Sequence, residues 1–316
     1  MERYQPLDQL RGIAVIWIHF VDLFFLLWNR SSGFDFYGGY LFDQFPIYAL
    51  PPILFSFSTG LSLALWKDRH DYRYLFRRLA LLFLSGLIRS YWVDGNIEAW
   101  GLFEMIALTN LVLFYLNSKF FCIGGIAIIL ILNGLKPPFF AFHFPKVHYF
   151  FEFEALPFII SQATVSGLFP LIPFIAWGFW GCLVSKYRNN LLRISLIPTE
   201  LGLILRIFQP FVYSQYGNVY STSMILFLMG ISSLLLYLLD KIRVPSLNLY
   251  GKYAWRLTFW RYPILYLPFV WLGMSLSLNY IESFIMSAIF SLALILLTKI
   301  NTFEALFRRK NQLIMT

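Results

Sequence analysis

Charge is what this chain has least of. Only 13% of its 316 residues are Asp, Glu, Lys or Arg, where a soluble domain carries about a quarter. Against that, 59% are hydrophobic and the mean hydropathy is +0.66, so a water-soluble fold of this length has too little polar surface to cover its apolar side chains. Cysteine is nearly missing. Cys122 and Cys182 each sit inside an apolar run, which suits small buried hydrophobes and not a disulfide framework. Histidine is also scarce. His19, His70, His143 and His148 include no His-x-x-x-His pair and no Cys/His set, so no metal site is expected. A cleaved signal peptide is not expected either: Glu2, Arg3, Asp8 and Arg11 mix charges, and the apolar run after them is as long as a full span.

What the chain does have is long apolar runs. A membrane helix needs about 20 mostly apolar residues. Spans are expected near 8–28, 46–66, 75–92, 101–116, 120–135, 165–185, 191–213, 222–239, 250–273 and 280–299. The fold class this predicts is all-α, a polytopic transmembrane bundle of about ten spans forming one domain over 1–316. Aromatics make up 20%, with 35 Phe; many can face acyl chains, while Tyr and Trp suit the headgroup zones. The net charge of +9 would suggest nucleic acid in a soluble protein, but here it fits cytoplasmic loops, and no nucleic-acid partner is expected.

Ten spans sort the charges by side. The segment 67–78 holds five basic residues, and Lys119, Lys186, Arg188, Arg193, Lys241, Arg243, Arg308, Arg309 and Lys310 fall on its side. Opposite lie Asp35, Asp43, Asp94, Glu98, Glu152, Glu154 and Glu282, with Arg30, Lys136 and Lys146. This asymmetry puts both termini in the cytoplasm, with the plasma membrane the expected location. The Phe-rich segment 137–164, broken by Pro and His, reads as an extracytoplasmic lid at the interface. Asn29-Arg30-Ser31 is an N-x-S sequon on the outer side, a common and weak match.

Ionisable residues inside spans cost roughly 2.5–3.5 kcal/mol each on insertion scales, so each is a functional candidate. They are Arg11, His19, Asp22, Arg89, Glu104, Glu200, Arg206, Arg256 and Arg261. His19 and Asp22 are three residues apart and share one helical face. Arg11 lies about 12 Å before His19 along the axis, at the cytoplasmic end. One helix thus carries a cation near the cytosol and a His/Asp pair deeper in, an arrangement suited to holding an anionic ligand at one end and moving a proton in the middle. A purely structural role for the pair, His19 bonding a neighbouring helix and Asp22 pairing with an arginine, stays open. Arg256 and Arg261 are candidates to neutralise Asp22 or Glu104, or to grip phosphates through the guanidinium fork. Glu200 and Arg206 lie on different faces and suggest no shared site. Arg89 is placed to reach the headgroups.

Several segments then resemble the membrane-bound acyltransferases. The opening RYQPLDQLRGIAVIWIHF is similar to their start, with Arg3, Asp8, Arg11 and Gly12 matching an Arg followed by Asp-x-x-Arg-Gly. FSFSTGLSLAL (55–65) and YLFRRLALLFLSGLI (74–88) resemble their second and third spans. WGLFEMIALTNLVLFYL (100–116) and GLFPLIPFIAWGFWGCLVSKY (167–187) resemble helices of the heparan-α-glucosaminide N-acetyltransferase-like, acyltransferase 3-like group. LNLYGKYAWRLTFWRYPILYL (247–267) is similar to that group's late Pro-Ile-Leu helix. Glu104 stands where Gln is usual, Phe174 where Trp is usual, and Arg261 where His is common. The position eleven residues after Arg11, a His in the broader superfamily, is Asp22, and the nearby His is His19. Asp43 and Pro46 match an Asp-x-x-x-Pro stretch, but no His lies between 20 and 69.

The resemblance implies acyl transfer across the membrane, with an acyl-CoA, acetyl first among them, as cytosolic co-substrate and no permanently bound cofactor. His19 and Asp22 are the catalytic candidates. Asp8, Arg11, Arg77 and Arg78 would serve the acyl-CoA, and Asp43, Glu104, Arg256 and Arg261 a glycan or lipid-linked acceptor. The lipid bilayer is the constant partner, and self-association is left open. Two alternatives remain at this point: a non-catalytic membrane subunit on an acyltransferase-like scaffold, and a proton-coupled transporter.

Overall fold

A computed structural model of the chain describes residues 4–27, 50–66, 72–94, 101–134, 171–208, 221–261 and 280–297. Among the described residues the regular structure is eleven α-helices and one 3-10 turn, Arg188–Asn190, with no strand. The helices are α1 (Gln5–Leu27), α2 (Leu50–Trp66), α3 (Tyr72–Asp94), α4 (Leu102–Tyr115), α5 (Lys119–Gly134), α6 (Leu171–Lys186), α7 (Leu191–Phe208), α8 (Thr222–Lys241), α9 (Pro245–Lys252), α10 (Ala254–Arg261) and α11 (Tyr280–Leu297).

Helix is therefore found in each stretch where a span is expected, with one difference. The ninth, expected as a single helix from 250, is two short helices, α9 and α10, meeting at Tyr253. Pro245 opens α9 at its first turn, where its missing N–H costs nothing, and the N–H of Val244 before it is taken by Gln9 Oε1 at 2.7 Å. By length and apolarity of its described residues, α8 alone qualifies as a membrane-crossing helix. Apolar parts of α2, α4, α5, α6 and α11 are shorter.

The chain divides into two compact units. The first joins the two ends of the sequence, Met1–Gly39 with Ile242–Thr316, and contains α1, α9, α10 and α11. The second is the continuous stretch Tyr40–Lys241, containing α2 to α8.

In the second unit α2, α4 and α6 are apolar nearly all round and buried nearly all round, as a core helix must be. Close backbone approach joins them. A Cβ on Gly60 of α2 would strike the carbonyl of Gly178 on α6, and one on Gly181 would strike that of Phe57. The Ser56 hydroxyl donates to the Phe174 carbonyl across the same contact at 2.7 Å. The outer helices α3, α5 and α7 pack on α4, α6 and α8 respectively. On α7, Ser195, Pro198 and Gly202 are buried, whereas Leu192, Leu196, Ile197, Leu201, Leu203, Ile204 and Ile207 are exposed. Small residues thus face the neighbouring helix and large aliphatics face outward, the reverse of a helix on a water-soluble core.

In the first unit α1 is the hub, packed by α9, α10 and α11. Gly12 lies under the Leu247 carbonyl of α9, and Gly251 under the Asp8 carbonyl of α1, so no Cβ fits at either position. Phe20 of α1 meets Phe284 of α11 edge-on, with ring centroids 5.3 Å apart.

Candidate functional site

Along α1, Asp8, Arg11, Val15, His19 and Asp22 recur at steps of three and four and form one face. Near the helix start Arg11 Nη1 pairs with Asp8 Oδ1 at 3.4 Å, and Asp8 is only 5% exposed. Farther along, His19 is buried, and its Nδ1 lies 2.6 Å from the Val15 carbonyl one turn back. A carbonyl only accepts, so Nδ1 carries the hydrogen and donates it. The neutral ring then has its lone pair on Nε2. One turn beyond His19, Asp22 Oδ2 pairs with Arg261 Nε at 3.0 Å.

Arg261 comes from the last turn of α10 and is 4% exposed, so its guanidinium is almost fully desolvated. Such a cation is tolerable only with an anion beside it, which Asp22 supplies. Its charge also acts on His19. Three of the candidates from sequence, His19, Asp22 and Arg261, are therefore brought into one charged cluster. Arg256 lies five residues earlier on α10, about 140° away round the axis, and is half-buried. Asp8 and Arg11 form a second pair on the same face of α1, nearer its start.

The remaining candidates belong to the second unit. Glu104, 3% exposed, sits in the first turn of α4, where its Oε2 accepts the Gly101 N–H at 3.2 Å. A methyl on Gly101 would meet Glu104 Oε2 at 3.1 Å and Arg89 Nη1 at 3.0 Å, so the carboxylate and the guanidinium close over the same glycine. Glu104 is thus tied to a helix N-terminus and lies close to Arg89. Arg77 is exposed and Arg78 half-buried on α3. Asp43, residues 67–71 and the lid segment 137–164 lie outside the described residues. Cys122 and Cys182 are free and buried, their thiols directed at the Leu116 and Gly60 carbonyls.

Sequence reasoning missed a set of hydroxyls in the first unit. Ser283, Ser287 and Ser291 recur every four residues on α11, the helix packed on α1, and all three are buried. Thr258 of α10 is buried too, and none of the four hydroxyls has a hydrogen-bond partner among the described residues. The Ser-x-x-x-Ser-x-x-x-Ser spacing in 283–291 was the available signal. Buried hydroxyls without partners are uncommon.

No protein-family profile matches this chain, and no curated protein does.

Proposed function

We propose that the protein is a multi-pass membrane acyltransferase, of about ten spans in the plasma membrane with both termini cytoplasmic. It would move an acyl group, acetyl first among candidates, from cytosolic acyl-CoA to a glycan or lipid-linked acceptor. The membrane part of this reading is supported by the outward-facing aliphatics of α3, α5, α7 and α11, set against buried Ser, Thr and Asn. Only a solvent without hydrogen-bonding groups favours that inversion. The orientation is supported by the gathering of Lys119, Lys186, Arg188, Arg193 and Lys241 at one end of the second unit. There Lys119 Nζ lies 5.1 Å from the Tyr187 ring centre, Lys186 Nζ donates to the Asn117 carbonyl, and the last three line one cavity.

The observation that carries the chemistry is His19, buried, with Nδ1–H committed to Val15 and Nε2 left with its lone pair. In the reaction Nε2 takes the proton of the acceptor hydroxyl or amine as that group attacks the thioester carbonyl. The C–S bond then breaks, and the CoA thiolate leaves and recovers the proton from the imidazolium. The Asp22–Arg261 pair flanks the ring and fixes the local field. By the resemblance, Arg11, oriented by Asp8, is the first unit's candidate for a CoA phosphate and Arg256 its candidate for the acceptor; Arg77 and Arg78 are the second unit's candidates for the donor, and Glu104 and Asp43 for the acceptor.

Binding of acetyl-CoA and longer acyl-CoAs to the detergent-purified protein, read by thermal shift, tests the donor. A stabilisation that weakens in Arg11→Ala supports the reading. Transfer of label to an acceptor should fall about 10²–10⁴-fold in His19→Gln with acyl-CoA binding retained. No stabilisation by any acyl-CoA, with labelled transfer also absent, overturns it. A second reading has its own observation: Arg11 and Arg261 each already hold a carboxylate, as in a non-catalytic scaffold. A scaffold predicts indifference to CoA and a partner that co-purifies. The proton-coupled transporter predicts flux in liposomes without acyl consumption.

A further inference from the structure

At the end of the second unit, the turn between α6 and α7 and the last turn of α8 enclose a cavity of about 490 Å³. Arg188, Arg193 and Lys241 line it against a single carboxylate, Asp240, and Asn189 and Asn190 add amide groups. All six are exposed. Arg193 forms no ion pair among the described residues. Lys241 Nζ is 5.8 Å from the centre of the Tyr237 ring, which forms part of the wall. The cavity thus has an excess of positive charge and donors on two sides.

Its surroundings are apolar. Leu192 belongs to the wall and is 41% exposed, and the outward side of α7 continues through Leu196, Ile197 and Leu201, with Leu238 exposed on α8. Glu200, the one acidic residue of α7, stands about 10 Å beyond Arg193 along the axis and is not part of the cavity. A cationic cup opening onto bare aliphatic helix has the layout of a phospholipid: charged headgroup at one end, acyl chains along the other.

We propose that this cup binds the headgroup of an anionic glycerophospholipid, with the acyl chains lying on the outward face of α7. The assignment rests on the membrane reading above, but not on acyl transfer. Arginine grips a phosphodiester through its fork, the asparagines donate to the remaining oxygens, and Lys241 adds a point charge. A zwitterionic lipid brings its own ammonium group into a site already rich in cations, so the cup discriminates by charge. A bound lipid would join the start of α7 to the end of α8, where the exposed turn Arg188–Asn190 leads from α6 into α7.

The test uses the full chain in nanodiscs of phosphatidylcholine containing a minor fraction of phosphatidylglycerol. Lipids retained after transfer to detergent are counted by native mass spectrometry. Phosphatidylglycerol should be enriched over its share of the disc. The enrichment should fall about fivefold in Arg193→Gln and roughly twentyfold in Arg193→Gln/Lys241→Gln, given the usual contribution of a basic residue near a membrane surface. Lys119→Gln/Lys252→Gln removes two exposed cations outside the cup and should leave the enrichment unchanged. Equal retention of phosphatidylcholine overturns the proposal, as does an equal loss in the Lys119/Lys252 variant. Displacement by millimolar glycerol 1-phosphate would make this a site for soluble phosphates and overturn the lipid assignment. Matching melting temperatures of the variants and the wild type exclude misfolding as the cause. If the chain leaves the disc under an alkaline wash, the membrane reading itself fails. If it stays in the disc without preference, only the lipid site fails.

Discussion

The two units bury polar atoms in opposite ways. In the second, the buried polar groups are mostly Ser, Thr and Asn that bond a carbonyl one turn back. Ser85 donates to Leu81, Asn110 to Ile106, Ser195 to Leu191, Thr199 to Ser195 and Ser232 to Leu228, all at 2.6–2.8 Å. These side chains satisfy themselves within their own helix and leave it free to pack. In the first unit ionisable groups pair with one another, Asp8 with Arg11 and Asp22 with Arg261 beside His19, while the buried hydroxyls of Ser283, Ser287, Ser291 and Thr258 find no partner among the described residues. A self-satisfied serine costs little wherever it is, whereas a buried charge pair is expensive and persists only if structure or chemistry needs it. The difference sets the first unit, with its buried charge pairs, apart from the second, where most buried polar groups satisfy themselves.

The largest expected effect tests that contrast directly. Asp22→Ala leaves Arg261 buried without its anion and should cost about 3 kcal/mol, the low end for such a pair because the Asp22 side chain is 17% exposed. Thermal or denaturant unfolding in detergent measures it. The double variant Asp22→Ala/Arg261→Met should recover more than half of the loss, since an apolar pair needs no counter-charge. If it does not, the pair contributes packing and not electrostatic balance. Ser232→Ala in the second unit should cost under about 1 kcal/mol, because the Leu228 carbonyl keeps its bond within the helix.

Next come the glycines at the α1–α9 contact. Gly12→Ala or Gly251→Ala drives a methyl into a backbone carbonyl, which cannot rotate away, and should cost about 1–3 kcal/mol. Gly12 belongs to the Asp-x-x-Arg-Gly start, so part of that pattern reads as packing: the glycine lets α9 lie on α1 beside the Asp8–Arg11 pair. The matched test in the second unit is Gly60→Ala, which meets the Gly178 carbonyl in the same way. Similar losses at both positions would show that the units share a mode of helix contact while differing in what they bury.

Much of this was legible from sequence. Apolar runs located the helices, because a helix that is apolar on every side can only be buried or lie in lipid. The spacing of Asp8, Arg11, His19 and Asp22 gave their shared face. Which arginine meets Asp22 was not legible: Arg256 and Arg261 had equal claims, and the rotation of α10 after the break at Tyr253 decides for Arg261. The break itself was hidden because Gly251-Lys252-Tyr253 carries no strong helix stop. The serine line of α11 escaped notice because serine is near neutral in hydropathy and only its period gives it away. The basic turns at 186–193 and 240–243 were assigned to one side of the membrane, but their meeting in one cavity depends on the pairing of α7 with α8.

A smaller effect concerns the exception in the second unit, its buried carboxylate. Glu104→Gln keeps an acceptor for the Gly101 N–H but removes the charge at the start of α4 and beside Arg89. The resemblance has glutamine at this position, so the fold should tolerate it. The expected loss is about 1 kcal/mol, read as a small drop in melting temperature. A loss several times larger would mean that Arg89 depends on Glu104 as Arg261 depends on Asp22, and the contrast between the units would weaken.

The smallest effect lies within one helix. Gly124 and Gly125 are neighbours on α5. A Cβ at Gly124 meets nothing within 4 Å, whereas one at Gly125 strikes the Phe179 ring of α6. Gly124→Ala should therefore stabilise by roughly 0.5–1 kcal/mol through the lower backbone entropy of the unfolded chain. Gly125→Ala should destabilise, since the ring must move within a core where Phe179 is 5% exposed. Opposite signs at adjacent positions would fix the rotation of α5 on α6 and identify its open side as the one facing solvent, whether lipid or water. Repeating Gly124→Leu in nanodiscs separates those two: an added apolar side chain should be neutral or favourable in lipid, and in water it would promote self-association visible by light scattering.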